Sequence, residues 1–157
     1  MITIRFVQGS ELSSKLIVAQ EKVAMPFTPS HVEILTADGK YYLGSMLDGG
    51  VKRRPVGYDA GTITHELLLP LDTTTEQETA AWAWAETKIG EPYDSVAIFG
   101  FVIPIHEHTL YHAICSAFVA LFLRACEWFQ WPLAAPAHLI DPRDLLLVIS
   151  GRMHVPM

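Results

Sequence analysis

The chain predicts an α+β fold, and three observations carry that prediction. Apolar and polar residues alternate through His31–Thr36 and Tyr41–Met46, on either side of an Asp38-Gly39 turn. A capping motif at Thr75 opens a stretch rich in alanine and tryptophan. An unbroken apolar run, Ala117–Leu123, follows Cys115-Ser116. Strands gathered in the middle of the chain with helices on both flanks are the arrangement of an α+β domain.

The elements follow in order. Leu12, Leu16, Ile17 and Ala19 give a helical spacing over residues 11–23 that ends before Pro26 and Pro29. Residues 31–46 form a strand, a turn and a returning strand. A Gly49-Gly50 turn leads to Val51-Lys52-Arg53-Arg54, and His65–Pro70 reads as a further strand, so four antiparallel strands occupy the centre. Thr75-x-x-Glu78 is a capping box, and its helix runs through Trp82 and Trp84 until Gly90. Residues 90–114 form a longer connection. A helix then runs from Cys115 to near Gln130, and Asp141-Pro142 supplies an N-cap and first-turn proline ahead of Leu145–Ile149.

At 157 residues the chain fits a single domain, 1–157, able to bury a sizeable core. With 50% hydrophobic and 18% charged residues it is expected to be well packed. A net charge of −6 argues against nucleic acid or an anionic membrane as partner, and Lys52-Arg53-Arg54 is only a local basic cluster. The amino terminus lacks the marks of a secretory signal, so synthesis in the cytoplasm is expected. The longest apolar run, Val96–Ile105, is about half of what a membrane span requires, and reads as core. Cys115 and Cys126 would lie roughly 16 Å apart along one helix, too far for a bridge, so both are expected as free thiols.

Cys115 is the most suggestive single residue. A thiol at the start of a helix meets the positive end of the dipole and free N–H groups, which favour thiolate. His31, on a strand far upstream, could exchange the proton, giving a Cys/His pair for acyl transfer with an oxyanion held by backbone N–H groups that include that of Cys115. The alternative is a buried structural cysteine.

His31 on a hairpin, Tyr93-Asp94 after Gly90-Glu91-Pro92, Cys115-Ser116 opening an apolar helix, and Pro142-Arg143-Asp144-Leu145-Leu146 near the end form an ordered set. Over about residues 28–147 this set resembles the circularly permuted NlpC-type papain-like family, in its YiiX-like branch, in which the histidine strand precedes the cysteine helix. Short phage and prophage members share the Gly49-Gly50-Val51 and Arg54-Pro55 pieces. The resemblance implies a permuted papain-like fold, a central antiparallel sheet with the nucleophile-bearing helix packed against it. It implies Cys115 as nucleophile, His31 as base, and Tyr93 as an aromatic residue near the cleft. The histidine-orienting position falls near Ser45, where members of the branch often carry an acidic residue. A serine hydroxyl can orient imidazole but supplies no charge to imidazolium. Glu33, about 7 Å from His31 on the same strand face, is the alternative orienting group, set against the simpler reading of a solvated carboxylate.

Other residues fit simpler roles. His106, His108 and His112 with Cys115 match no common closed zinc arrangement, so neither metal nor cofactor is expected, and the histidines read as loop or cleft residues. His65, His138 and His154 read as structural or solvated. Arg54 could bind a substrate carboxylate or lipid phosphate, or it belongs to a charged edge strand. Trp82, Trp84, Trp128 and Trp131 read as packing residues. The leading expectation is a cysteine amidase or peptidase acting on peptidoglycan stem peptides, carried in a virion or released on lysis. The alternatives are a lipid-directed acyltransferase or thioesterase using the same pair, as in lecithin:retinol acyltransferase-like enzymes, and a non-catalytic phage structural protein.

Overall fold

A computed structural model of the chain describes residues 1–10, 27–46, 49–91, 107–129, 137 and 140–153. Among these, five strands form one antiparallel sheet: β1 Ile2–Gly9, β2 His31–Leu35, β3 Tyr41–Met46, β4 Gly50–Pro55 and β5 Ile63–Leu71, in the order β4-β3-β2-β1-β5. Three helices follow: α1 Thr75–Glu86, α2 Glu107–Ala125 and α3 Pro142–Met153. The class is α+β, as the sequence predicts. The expected helix over 11–23, Tyr93 and the apolar run 96–105, His106, Trp131, His138 and His154 lie outside the described residues.

The hairpin forms where the alternation places it. Gly39, at φ 68°, takes a left-handed turn position, its N–H bonding Thr36 O at 2.8 Å. Asp38 Oδ1 accepts from Lys40 N at 3.1 Å and from the Thr36 hydroxyl at 2.6 Å, tying the turn together. β1 is a fifth strand beyond the four expected. Its alternation of Ile2, Ile4 and Phe6 with Thr3, Arg5 and Val7 suits a strand. It lies between β2 and β5, with Ile4 opposite Ile34 on one side and Leu69 on the other.

Two helix starts differ from expectation. The cap of α1 is Thr74, whose hydroxyl accepts from Gln77 N at 3.2 Å while the Gln77 side chain accepts from Thr74 N at 3.1 Å. The capping box is therefore one residue earlier than Thr75-x-x-Glu78, which leaves Glu78 to bond Thr73 at 2.7 Å. The second difference matters more. α2 begins at Glu107, so residues 107–114, expected as connection, are helical. No glycine or proline interrupts His108–Ile114, so nothing in the sequence stops a helix from running through Cys115. α3 starts as expected: Asp141 Oδ1 accepts from Asp144 N at 2.7 Å and Pro142 takes the first position.

The core joins the sheet to the helices. Ile4, Phe6, Val32, Ile34 and Leu43 pack with Val119, Phe122 and Leu123 of α2, all fully buried. Trp82 meets Phe122 edge-on with ring centroids 5.2 Å apart, and Trp84 lies 5.5 Å from Phe118, so α1 is fastened to α2 by aromatic pairs as the packing reading requires. α2 packs against β2 and β3, which brings Cys115 to the strand that carries His31.

Candidate active site

His31 opens β2, and alternation puts Glu33 two residues on along the same side. Cys115 approaches from α2 to within hydrogen-bond reach of the His31 ring. His31 Nε2 lies 3.5 Å from Oε2 of Glu33, at ion-pair distance. A cysteine and a carboxylate thus meet the same imidazole. Cys115 is buried, and His31, 16% exposed at its side chain, is the member nearer solvent.

Glu33 is the carboxylate that the structure brings to His31. Its side chain is 0% exposed, which excludes the solvated carboxylate. Ser45 is buried on β3 and is not among the groups that raise the His31 imidazole. The β2–β3 register pairs Ile34 with Leu43, and a Cβ on Gly44 would fall 3.0 Å from Glu33 Cβ, so Gly44 stands against Glu33. Ser45 pairs instead with Val51 of β4, and the groups that act on His31 are Cys115 and Glu33. The physical reason is register: one residue along a strand turns the side chain to the other face. Gly44 also leaves room for the Glu33 carboxylate, whose Oε2 would come within 3.5 Å of that Cβ.

Behind Glu33 lies a charge network that the motifs did not reveal. Arg5 on β1, directly across from Glu33, donates to Glu33 Oε1 and Glu66 Oε1. It forks onto Asp59, with Nη1 to Oδ2 at 2.8 Å and Nη2 to Oδ1 at 3.0 Å, and its guanidinium lies 4.1 Å from the centre of the Tyr42 ring. The Tyr58 hydroxyl donates to Glu33 Oε2 at 3.3 Å. One signal for this network was in the sequence: a single arginine between Ile4 and Phe6 in a strand that also carries Ile2 and Val7. A charge buried there needs partners.

The electrostatics follow from these contacts. Burial disfavours a charged His31, but Cys115 and then Glu33 outweigh it and raise the imidazole to about 10. Burial also opposes ionisation of Glu33, and His31 with Arg5 overcomes it, holding the carboxyl below its usual range. Burial and the charges of Glu33 and Asp59 push the Tyr58 phenol upward, so it remains a donor. Against burial, Asp59, Glu33 and Glu66 keep Arg5 firmly cationic.

Cys115 differs from expectation in its place on the helix. It lies about two turns inside α2, where its amide is committed to the carbonyl four residues earlier. The dipole effect fades within the first turn, so neither the helix end nor the Cys115 N–H serves the thiol or an oxyanion. Cys126 is also a buried free thiol, and burial pushes it upward.

Arg54 is buried at 6% exposure with its guanidinium 5.7 Å from the Tyr58 ring centre, so it is no solvated edge residue. Arg53 is the exposed member of that run and pairs with Glu86. His65 is exposed, as read, and His108 and His112 lie on α2. Compared with family models, curated proteins and solved structures, the chain matches none of them.

Proposed function

We propose that the protein is a cysteine hydrolase with a permuted papain-like, NlpC-type fold, acting on an amide bond. The observation that supports it is the set Cys115, His31 and Glu33, in which a thiol and a buried carboxylate meet one imidazole. Proton transfer from Cys115 to His31 leaves the net charge unchanged and places the new cation beside Glu33. The thiolate then attacks the substrate carbonyl carbon, and imidazolium gives its proton to the leaving amine as the carbon–nitrogen bond breaks. Water, losing a proton to His31, attacks the thioester, and Cys115 leaves and is reprotonated. Peptidoglycan stem peptides are the proposed substrate, from the resemblance of the Cys/His order and the Gly49-Gly50-Val51 piece to phage members of the family.

The test is incubation of purified protein with digested peptidoglycan and, separately, with short-chain acyl esters. Release of new amines from the peptidoglycan is expected, abolished in Cys115→Ala and reduced about 10³-fold in His31→Ala. Cleavage of the esters alone would instead assign the pair to lipid-directed acyl transfer. One observation favours a second reading, a non-catalytic structural protein: Cys115 is 1% exposed and belongs to the core cluster. Iodoacetamide separates the two. A hydrolase requires Cys115 to be alkylated faster than Cys126 near neutral pH, with His31→Ala slowing it; equal rates support the structural role.

A further inference from the structure

Arg5 is buried in the middle of β1, its side chain 2% exposed, far from any surface role. Three carboxylates surround it: Glu33 from β2, Asp59 from the turn before β5, and Glu66 from β5. Packing an arginine this way is unnecessary for a sheet, since an apolar residue of similar volume is often as stable or more so. The geometry gives Arg5 a specific effect. It takes Oε1 of Glu33 and leaves Oε2 to face His31 and the Tyr58 hydroxyl. A carboxylate this deeply buried would bind a proton without a cation beside it. Protonated Glu33 has no charge with which to support imidazolium.

We propose that Arg5 is a positioning residue of the Cys115–His31 site: it keeps Glu33 ionised and aimed, and through Glu33 it keeps His31 in the imidazolium form. This rests on the hydrolase reading for its use, although its electrostatics can be measured without substrate. Among the described residues, the charged or titratable groups that act on His31 are Cys115 from α2 and Glu33 from its own strand. Beyond Glu33 stand Arg5 from β1, Asp59 and Tyr58 from the turn, and Glu66 from β5. Asp59 and Glu66 also bond the guanidinium, so Arg5 is held by two further carboxylates and does not depend on Glu33 alone to stay in place.

The sign distinguishes this from simple proximity. If Arg5 were only a nearby cation, its removal would make protonation of His31 easier. If it acts through Glu33, its removal leaves His31 alone to hold Glu33 ionised, favours a protonated Glu33, and makes protonation of His31 harder. The experiment is NMR titration of the His31 imidazole in the full chain, native, Arg5→Lys and Arg5→Met, with folding checked by circular dichroism. The expected result is a midpoint lowered by one pH unit or more in Arg5→Met, and by less in Arg5→Lys, which retains the charge. If Arg5→Met alone does not fold, the charge-balanced pair Arg5→Met with Asp59→Asn carries the same prediction. A midpoint that stays or rises in the folded variant overturns the proposal. Turnover is measured in parallel. A lowered midpoint in a protein with no hydrolytic activity supports the coupling and sinks the hydrolase reading. Native turnover with an unmoved His31 overturns the coupling and leaves the hydrolase reading standing.

Discussion

Glu33→Gln keeps the shape of a buried side chain and removes its charge, and the expected loss can be worked from what that charge holds. The rise of His31 from 6.5 to about 10, at about 1.4 kcal/mol per pH unit, favours imidazolium by about 5 kcal/mol. Burial opposes that rise, and Cys115 and then Glu33 carry it. Hydrogen bonds and contacts to charged groups contribute about 1.5–3 kcal/mol, so the Glu33 carboxylate beside His31 is assigned about 2 kcal/mol. The charge-assisted bond to Arg5 adds about 1.5 kcal/mol, at the low end because Asp59 and Glu66 still hold the guanidinium. The variant should therefore lose about 3.5 kcal/mol near pH 6, or about 10 °C in melting temperature for a chain of this size. The pH dependence is the sharper part. A raised folded value means that the His31 contribution is complete below pH 6.5 and is lost as pH rises through about 10. The gap between native and variant should accordingly narrow toward about 1.5 kcal/mol above pH 10, leaving the Arg5 bond alone. Urea denaturation of both proteins from pH 6 to pH 10.5 measures it. A gap that stays constant across that range refutes the coupling of Glu33 to His31.

The other expectations are briefer. Glu33 has a depressed folded value, so its contribution is present above its ordinary 4.5 and lost as pH falls through the lower one; native protein should lose stability in acid more steeply than Glu33→Gln. Ser45→Ala should leave the His31 titration midpoint and any turnover within about twofold, and a tenfold loss of turnover would restore Ser45 as the orienting group. Gly44→Ala crowds Glu33 Cβ at 3.0 Å and should cost about 1–3 kcal/mol by thermal melt while lowering turnover; an unchanged protein would show that Glu33 has room to move. Thr74→Ala should cost about 1 kcal/mol and Thr75→Ala much less, and the reverse order would return the cap to Thr75.

Periodicity and turn chemistry made the hairpin, α1 and α3 legible, because each is specified by residues close in sequence: Asp38-Gly39, Thr74 to Gln77, Asp141-Pro142. The pairing of β1 between β2 and β5 was less accessible, since it joins segments about sixty residues apart and is decided by the whole sheet. Within the site, Cys115 and His31 could be named from residue type and order. Choosing between Ser45 and Glu33 required the register, because a one-residue difference moves an orienting group to the wrong face. Arg5 and Asp59 are fifty-four residues apart and share no motif; only the arginine's apolar setting hinted that something buried must meet it.

The position of Cys115 inside α2 changes what the site depends on. A cysteine at a helix start draws about 0.3–1 kcal/mol of thiolate stabilisation from the dipole whatever the histidine does. Two turns inside, that source is gone, and the amide that would have faced an oxyanion is bonded within the helix. In the proposed chemistry the thiol at Cys115 works with His31 as imidazolium, the imidazolium with Glu33, and Glu33 with Arg5. The four links lie on three elements: α2, β2, which carries both His31 and Glu33, and β1. Such a series is more sensitive to single changes than a helix-end thiol, because losing Arg5 or Glu33 withdraws support from the same proton. The sheet register that aligns Arg5 with Glu33 is therefore as much a part of the proposed chemistry as the thiol itself.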